Sequence, residues 1–185
     1  MLEKKKLRKK FLQIRRKKYF EVNKDYFTPL KKLISKMFKR KKLNLSIYYP
    51  SNNEVNTLKF LEVIDKKITT LLPVIDNKND MKFCIWSNLD ILKVNKYGML
   101  EPSTQSKSII PEMSLVPLLA FDEENHRLGY GKGFYDRFLS KCNKEVIKVG
   151  ISFFEAETEE IAVDDTDIPL NYCISDTRVY TFNND

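Results

Sequence analysis

Short apolar runs that alternate with helical patterns constrain the fold of this chain most strongly. After a first run at residues 44–49, further runs lie at 71–75, 82–86, 114–121 and 146–152. Runs of this length, apolar at successive positions, are typical of strands buried on both faces of a parallel sheet. Helical patterns occur at 3–20, 25–40, 55–67 and 133–142. The alternation predicts an α/β fold, with residues 93–111 as an irregular, mobile loop.

A cluster of glycines follows the run at 114–121. Five glycines occur in 185 residues, and Gly129, Gly131 and Gly133 fall within RLGYGKGFYD at 127–136. A turn without Cβ atoms lets a ligand approach the backbone, and the free N–H groups of the helix that it opens attract anions. Arg127 and Lys132 add positive charge. The spacing matches neither the Walker loop nor the dinucleotide-binding pattern, so a phosphate site and a structural turn both remain open.

Asp136 ends this decapeptide, and its carboxylate has two interpretations. Beside bound phosphates it can hold Mg²⁺ through oxygen. It can equally be a first-turn acid that the helix dipole stabilises. Both interpretations are compatible with its position in the sequence.

Positive charge is concentrated near the N-terminus. Residues 1–42 contain 18 of the 33 Lys and Arg but three acidic residues, so they carry +15 and the remainder carries −7. The first predicted helix has an apolar and a cationic stripe, formed by Leu7, Phe11 and Ile14 and by Lys4, Arg8 and Arg15, respectively. A polyanionic partner such as nucleic acid, a membrane surface or nucleotide phosphates would explain this charge, and so would a solvated, Lys-rich helix face.

The chain has neither an apolar run near the ~18 residues of a membrane span nor the apolar segment of a secretory signal at its start. We therefore expect a cytoplasmic protein without a membrane partner, with organellar import left open. Cys84, Cys142 and Cys173 are odd in number and widely spaced. Reduced thiols are expected, rather than disulfides or a zinc site.

A wider match surrounds the glycine cluster. The run LVPLLAFDEENHRLGYGKGFYDRFL at 115–139 resembles the signature of the 5-formyltetrahydrofolate cyclo-ligases, also called 5,10-methenyltetrahydrofolate synthetases. Other segments resemble that family in the same order along the chain: KKKLR at 4–8, SIYYPSNNEVNT at 46–57, YGMLEP at 97–102 and VDDTDIPLNYCISD at 163–176. The expected fold is a single-domain three-layer sandwich over residues 1–185, with a mostly parallel central sheet flanked by helices (Rossmann-like). The basic helix at about 3–20 is expected to contribute to its nucleotide site.

The resemblance implies an ATP- and Mg²⁺-dependent ligase that converts 5-formyltetrahydrofolate to 5,10-methenyltetrahydrofolate and releases ADP and phosphate. The formyl oxygen would attack the γ-phosphate of ATP, and N10 would then close the ring as phosphate leaves. No side-chain nucleophile is needed. Catalysis is therefore expected to depend on alignment and charge neutralisation, with Arg127, Lys132 and Asp136 as the catalytic residues.

Binding residues follow from the same resemblance, position by position. The predicted ATP-binding set is Lys4, Arg8, Arg127, Leu128, Gly129, Tyr130, Gly131, Lys132, Gly133, Phe134 and Tyr135. The predicted folate-binding set is Tyr49, Glu54, Tyr130, Gly131, Lys132, Gly133 and Phe134. Glu54 suits the N–H donors of a pterin ring. Asp136 and Asp167 are the predicted magnesium ligands.

Three positions depart from the family pattern. Asn125 and Leu118 stand where relatives often have glycine, and Asn171 stands where they often have aspartate. Asparagine tolerates a positive φ better than other residues with a side chain, so the turn before RLG can persist. His126 is not required by the pattern, and we expect it only to form surface hydrogen bonds.

Two rival functions are considered. A nucleic-acid-binding module would use the basic N-terminal segment, but it leaves the glycine motif and Glu54 unexplained. A folate-binding protein without activity would keep Glu54 yet tolerate the loss of Asp136. We expect a monomeric enzyme whose partners are ATP and 5-formyltetrahydrofolate, and we expect no nucleic acid.

Overall fold

Eleven β-strands and three α-helices form the regular structure of residues 2–39, 41–103, 107–176 and 178–181, the part of the chain that this computed structural model describes. The strands are β1 Leu43–Ser46, β2 Ile68–Ile75, β3 Met81–Ile85, β4 Leu92–Val94, β5 Leu100–Pro102, β6 Met113–Pro117, β7 Ala120–Phe121, β8 Arg127–Leu128, β9 Ile147–Ile151, β10 Tyr172–Ile174 and β11 Val179–Thr181. The α-helices are α1 Leu2–Lys18, α2 Thr28–Phe38 and α3 Phe134–Ser140. Short 3-10 helices lie at Lys24–Phe27, Thr57–Glu62 and Phe154–Ala156.

Seven strands form the main sheet, in the order β11-β10-β9-β6-β1-β2-β3. The five central strands are parallel, and the edge strands β11 and β3 are antiparallel to their neighbours. The prediction of an α/β fold with a mostly parallel sheet is confirmed. The interpretation of 82–86 as a parallel strand is wrong. The tight turn at 76–80, closed by the hydrogen bond from Asp76 N to Asp80 O (3.0 Å), returns β3 antiparallel to β2.

Different helices cover the two faces of this sheet. The adjacent residues Leu71 and Leu72 of β2 belong to different cores, because neighbouring side chains in a strand point to opposite faces. α2 buries Leu30 in the core that contains Leu72. On the other face, α3 packs Phe138 against Phe83 of β3, with ring centroids 4.9 Å apart.

Helix α1 docks on the small hairpin formed by β7 and β8. Its Phe11 packs in a buried cluster with Leu119 and Leu128. Docking also turns part of the cationic stripe inward, so that Lys4 and Arg15 are each only 8% exposed. The predicted helix at 3–20 is confirmed; Lys4 and Arg15 line an interface, while most of the other cations of this helix are exposed.

Two predicted elements are shorter than their patterns. The helical pattern at 55–67 forms only the 3-10 helix Thr57–Glu62, because Val63 leaves the helical region of φ and ψ. The run at 114–121 is divided between β6 and β7. It breaks there because Leu119 N donates to Leu128 O (2.7 Å) in the β7–β8 hairpin.

The stretch expected to be irregular, 93–111, includes regular structure. β4 and β5 pair as an antiparallel hairpin. Buried Glu101 holds this hairpin on the sheet by accepting hydrogen bonds from Ile75 N and Asn95 Nδ2, both at 3.0 Å. The prediction was therefore wrong for the hairpin, and residues 104–106 lie outside the described part of the chain.

Candidate active site

The glycine turn, residues 129–133, connects β8 to α3. Gly131 has φ +89° and Gly133 has φ +63°, conformations that residues with a Cβ rarely adopt. Asn125, in the hairpin turn before the motif, has φ +69°, so the prediction that asparagine preserves this turn is confirmed. Because α3 has only seven residues, its dipole is short, and side chains supply most of the local charge.

Arg8 of α1 reaches the glycine turn directly. Its Nε donates a hydrogen bond to the Gly129 carbonyl (2.9 Å). A Cβ on Gly131 would stand 3.1 Å from the Arg8 Cζ, so a side chain at 131 would displace the guanidinium. Arg8 and the turn are thereby brought together as one cationic surface.

Lys4, one turn earlier on α1, contacts the acidic loop, residues 163–168. Its Nζ donates to Asp164 Oδ2 and Asp167 Oδ2, both at 2.6 Å. Burial acts to lower the pKa of Lys4, but the hydrogen bonds and charges of these carboxylates together raise that pKa above its usual value. The Asp164 and Asp167 side chains are 73% and 29% exposed. Asp167, a predicted magnesium ligand, is therefore paired with Lys4 at an accessible surface.

Arg127 and Asp136 form a second, more buried ion pair. Arg127 Nη2 donates to Asp136 Oδ1 (2.7 Å), and Nη1 donates to the Ile168 carbonyl (2.6 Å). Ile168 N also donates to Asp136 Oδ1 (3.1 Å). The Arg127 and Asp136 side chains are 5% and 20% exposed. Asp136 thus ties α3 to the acidic loop, a role that goes beyond a response to the helix dipole.

Lys132 and Phe134 face the β4–β5 hairpin. Exposed Lys132 places its Nζ 5.6 Å from the centroid of the Tyr97 ring. The Phe134 and Tyr97 rings meet edge to face with centroids 5.4 Å apart. The Tyr97 hydroxyl donates to Asn79 Oδ1 (2.6 Å). The hairpin therefore supplies a wall beside the glycine turn.

Glu54 is the centre of a buried polar cluster behind the turn. It is 7% exposed and accepts hydrogen bonds from Ser51 N (2.8 Å) and from the Tyr130 hydroxyl. Burial raises the pKa of Glu54, although those hydrogen bonds and the charge of Arg15 oppose the shift. Burial and the Glu54 charge also raise the pKa of Tyr130, which remains a neutral donor. Arg15 Nη1 donates in turn to the Tyr130 hydroxyl, so a cation, a phenol and a carboxylate form a chain.

The remaining predicted residues pack around these groups. Tyr135 lies against Phe83, with ring centroids 6.1 Å apart, and its buried hydroxyl has no hydrogen-bond partner within the described residues. A buried hydroxyl of this kind is completed by a ligand or a water in most proteins. Tyr49 is half-buried against the core on the α2 side of the sheet, and Leu128 supports the turn by packing under α1.

The donor set fits Mg²⁺ that arrives with a nucleotide. The described residues contain no group of three or more His, Cys, Asp or Glu side chains that could hold a metal ion. Mg²⁺ needs no such cage, because it keeps several waters and is bound by one or two carboxylates together with substrate phosphates. Both hydrogen bonds described for Asp136 engage Oδ1, so Oδ2 can face an ion.

The histidine and the cysteines lie apart from this chemistry. His126 Nδ1 is 3.2 Å from Asp122 Oδ2, in agreement with the predicted hydrogen-bonding role. Cys84, Cys142 and Cys173 are free, and burial raises the pKa of each thiol. The free state of the three thiols agrees with the prediction of reduced cysteines.

Sequence reasoning missed three residues of the site. Arg15 was placed on the cationic stripe, seven residues after Arg8, yet no role was assigned to it. Asp164 belongs to the acidic run VDDTD, and that run was a signal for a cation partner. Tyr97 lies within the matched segment YGMLEP, but nothing in that segment predicts its contact with Lys132.

The fold and this site define a class of protein before any comparison. A glycine turn, five cations and several carboxylates meet beside a mostly parallel sheet, as in enzymes that handle phosphorylated substrates.

Known proteins narrow the class. The model of the 5-formyltetrahydrofolate cyclo-ligase family matches residues 1–176. The 5-formyltetrahydrofolate cyclo-ligase of Mycoplasma genitalium is 36% identical over 135 residues, which is 71% of each chain. The NMR structure of Aquifex aeolicus 5,10-methenyltetrahydrofolate synthetase matches with a TM-score of 0.79 and 27% identity, over 100% of this chain and 95% of that one. A 5,10-methenyltetrahydrofolate synthetase from Mycoplasma pneumoniae shares the fold, with a TM-score of 0.68 and 23% identity over 94% of this chain and 98% of that one.

The chain belongs to the 5-formyltetrahydrofolate cyclo-ligase family. It is accordingly an ATP-dependent ligase of folate one-carbon metabolism, which converts 5-formyltetrahydrofolate to 5,10-methenyltetrahydrofolate. The predicted family, enzyme class and reaction are confirmed. In the part of the chain that the structure describes, no helix is long and apolar enough to cross a membrane.

Proposed function

We propose that the catalytic site of this ligase lies between α1, the glycine turn and the acidic loop, where MgATP binds beside a folate held by Glu54. One observation carries the proposal. The positive-φ turn at Gly131 is approached by Arg8 on one side, and the Arg127–Asp136 pair joins the strand before it to the helix after it. A bend without Cβ atoms beside cations and a carboxylate is suited to a triphosphate with its metal.

The phosphates are proposed to bind Lys4, Arg8, Lys132 and the backbone of the glycine turn. Lys4 is itself buried, but solvent reaches its carboxylate partners, and phosphate oxygens can supply the same compensating charge. An incoming triphosphate can therefore take Lys4 and release Asp167. Arg127 already donates hydrogen bonds to Asp136 and Ile168, so its first role is to hold Asp136 in place beside the phosphates.

Asp136 and Asp167 are proposed to hold the magnesium ion. Mg²⁺ bound there supplies charge neutralisation for the phosphate oxygens. Arg127 and Ile168 N fix Asp136 Oδ1, which orients the free oxygen. The loop that carries Asp167 is tied to α3 by the same contacts.

The folate is proposed to bind through Tyr49, Glu54, Tyr130 and Phe134. Glu54 accepts the N–H donors of the pterin, because a buried carboxylate offers more than two acceptor sites and Ser51 and Tyr130 use only some of them. The unpartnered Tyr135 hydroxyl lies close enough to Glu54 and Arg127 to sense both charges. It is proposed to donate to a bound nucleotide or folate oxygen.

The chemistry then needs only alignment. The formyl oxygen on N5 attacks the γ-phosphorus, and the bond between this phosphorus and the β–γ bridging oxygen breaks. ADP leaves, and the formyl oxygen now carries the phosphoryl group as an imidate phosphate. N10 adds to the activated carbon and loses its proton. The carbon–oxygen bond breaks with release of inorganic phosphate, and the methenyl bridge remains. Arg8, Lys132 and the turn N–H groups stabilise the charge that moves between phosphate oxygens.

A structure of the full chain with a non-hydrolysable ATP analogue, Mg²⁺ and 5-formyltetrahydrofolate tests the site. The triphosphate is expected on residues 129–133 and the pterin on Glu54. A triphosphate bound elsewhere would overturn the proposal. Near-UV absorbance of the methenyl product gives the matching activity, and an assay with RNA over a range of salt tests the rival nucleic-acid function, for which we expect no specific binding.

We regard residues 1–185 as one domain, a Rossmann-like three-layer sandwich, because α2 and α3 pack on opposite faces of one sheet. A monomer is expected, since the proposed site is assembled within one chain. Light scattering of the purified protein tests this expectation.

A further inference from the structure

Arg15 is a buried cation of the Glu54 cluster to which the proposed function assigns no task. It is 8% exposed, and its guanidinium donates to the Tyr130 hydroxyl and to the Leu118 carbonyl that follows β6. The ion pairs found among the described residues do not include Arg15. Burial of a cation is costly unless charge or hydrogen bonds compensate it, so the placement of Arg15 calls for an explanation.

The compensating charge lies one side chain further on. The Tyr130 hydroxyl accepts the hydrogen bond from Arg15 and donates to the Glu54 carboxylate. The Arg15 guanidinium also lies over the Tyr130 ring, with Cζ 5.9 Å from the centroid. A permanent cation therefore donates to the Tyr130 hydroxyl from one side. Because the hydroxyl oxygen accepts from Arg15, the hydroxyl proton is directed toward Glu54.

We infer that Arg15 is a positioning residue for folate binding, which acts through Tyr130 to orient the Glu54 carboxylate and to keep it ionised. This inference rests on the proposed folate-binding role of Glu54. Only an ionised carboxylate can accept two pterin N–H groups while it also accepts from Tyr130 and Ser51. A protonated Glu54 would present a donor to donors.

The electrostatic surroundings of Glu54 support this role for Arg15. Among the described residues, charge interactions link Glu54 to the phenols Tyr48, Tyr130 and Tyr135 and to the Arg15 guanidinium. The phenols are neutral, because burial raises the pKa of each. Burial also raises the pKa of Glu54, and Arg15 is the cation that opposes this shift. Removal of Arg15 leaves the carboxylate in an apolar environment with hydrogen bonds but without that opposite charge.

Helix α1 extends the effect to the nucleotide side. Arg8, two turns before Arg15, is bonded to Gly129 at the start of the glycine turn. A ligand that fixes α1 through Arg8 also fixes the guanidinium that directs Tyr130. Arg15 therefore connects the phosphate contacts to the folate carboxylate within one rigid element.

Arg15→Gln tests the inference, with Arg16→Gln as the matched control, because Arg16 is the next residue on α1 and is exposed. Carbon-13 NMR of the Glu54 carboxyl in the substrate-free chain reports its ionisation directly. The acid limb of kcat/KM for 5-formyltetrahydrofolate, at saturating MgATP, reports its effect on the reaction. Arg15→Gln is expected to move the Glu54 titration and the acid limb of kcat/KM to higher pH. It is also expected to raise the folate KM about tenfold at the acid end of the profile. Arg16→Gln is expected to move neither.

Arg15→Lys separates charge from geometry. The ammonium keeps the positive charge but cannot reach Tyr130 and Leu118 with a planar fork. In Arg15→Lys, the acid limb of kcat/KM should stay near that of the wild type, while the folate KM rises across the whole pH range. This variant also guards against a folding defect, which circular dichroism and the Tm of all three variants would reveal.

Failure of the Arg15 inference and failure of the proposed folate site give different results. A Glu54 titration that is identical in wild type and Arg15→Gln would overturn the inference, whatever the kinetics. A shifted Glu54 titration together with an unchanged folate KM would show that Arg15 does not position the folate, and it would also overturn the inference. In Glu54→Gln, an unchanged folate affinity would instead overturn the proposed folate site itself.

Discussion

The two ends of α1 present cations to very different surroundings. Near its start, Lys4 pairs with Asp164 and Asp167, whose side chains are 73% and 29% exposed. Near its end, buried Arg15 reaches Glu54 through Tyr130. Both cations are only 8% exposed, so the contrast lies in their partners: solvent reaches the carboxylates of Asp164 and Asp167 and screens their charges, whereas Glu54 is itself buried. One helix can thus release a charged ligand at one end and hold a fixed geometry at the other.

The charge of Asp136, which ties α3 to the acidic loop, is expected to matter most. Asp136→Asn keeps an acceptor for Arg127 and Ile168 N but removes the negative charge available to a metal. Turnover is expected to fall about 100-fold or more, while folate affinity without ATP stays nearly constant. Kinetics by methenyl absorbance and binding by calorimetry measure the two effects. Asp165→Asn, exposed in the acidic loop, is the control, and similar losses of turnover and folate affinity in Asp136→Asn would contradict the metal role.

The exchangeable end is tested at Arg8. Arg8→Ala removes a charged donor beside the glycine turn and is expected to raise the KM for ATP about tenfold, with little change in the KM for folate. Lys9→Ala, at the next and exposed position of the helix, should leave both constants unchanged. An ATP KM that is insensitive to Arg8→Ala would remove this residue from the nucleotide site.

Two tyrosines sharpen the contrast in stability. Tyr130→Phe removes the hydroxyl that joins Arg15 to Glu54, so the free energy of unfolding is expected to fall by about 2 kcal/mol. Tyr135→Phe removes a buried hydroxyl without a partner in the described residues, and stability should be unchanged or rise by about 1 kcal/mol. Urea unfolding of both variants without ligand measures the difference. Equal destabilisation by the two substitutions would show that the two hydroxyls are equally satisfied.

The smallest effect is expected at Asp164. The hydrogen bond and charge of Lys4 lower the pKa of Asp164, so this pair stabilises the fold above the ordinary aspartate range. That contribution disappears as the pH falls through the lowered pKa. Because Asp164 is exposed, Asp164→Asn should change the Tm by less than about 2 °C at pH 7, and by still less in high salt. A larger, salt-independent change would place Asp164 with the buried groups instead.

The sequence predicted those elements whose residue pattern is local to the element itself. The apolar runs yielded the core strands, and the helical spacing at 3–20 yielded α1. The glycine turn was located because Gly129, Gly131 and Gly133 are rare residues in one place. The antiparallel direction of β3 was also within reach, since the segment at 76–80 is too short for a crossover between parallel strands.

Long-range contacts explain what sequence reasoning missed. Arg15 and Tyr130 are 115 residues apart, and helical spacing says which residues share a stripe but not what that stripe will touch. The β4–β5 hairpin depends on Glu101, whose partner Ile75 N belongs to the main sheet. Such partners are chosen by packing of the whole chain, so no local pattern predicts them.

The close approach of Arg8 to Gly131 has a consequence for protein engineering. Two constraints keep glycine at 131: a Cβ there would stand 3.1 Å from the Arg8 Cζ, and the φ of +89° strains any residue with a side chain. A library that randomises position 131 should therefore return glycine even where residue 8 is also shortened, because a shorter residue 8 removes only the first constraint. Grafting a first helix from a distant homologue would likewise require the loop from the same donor.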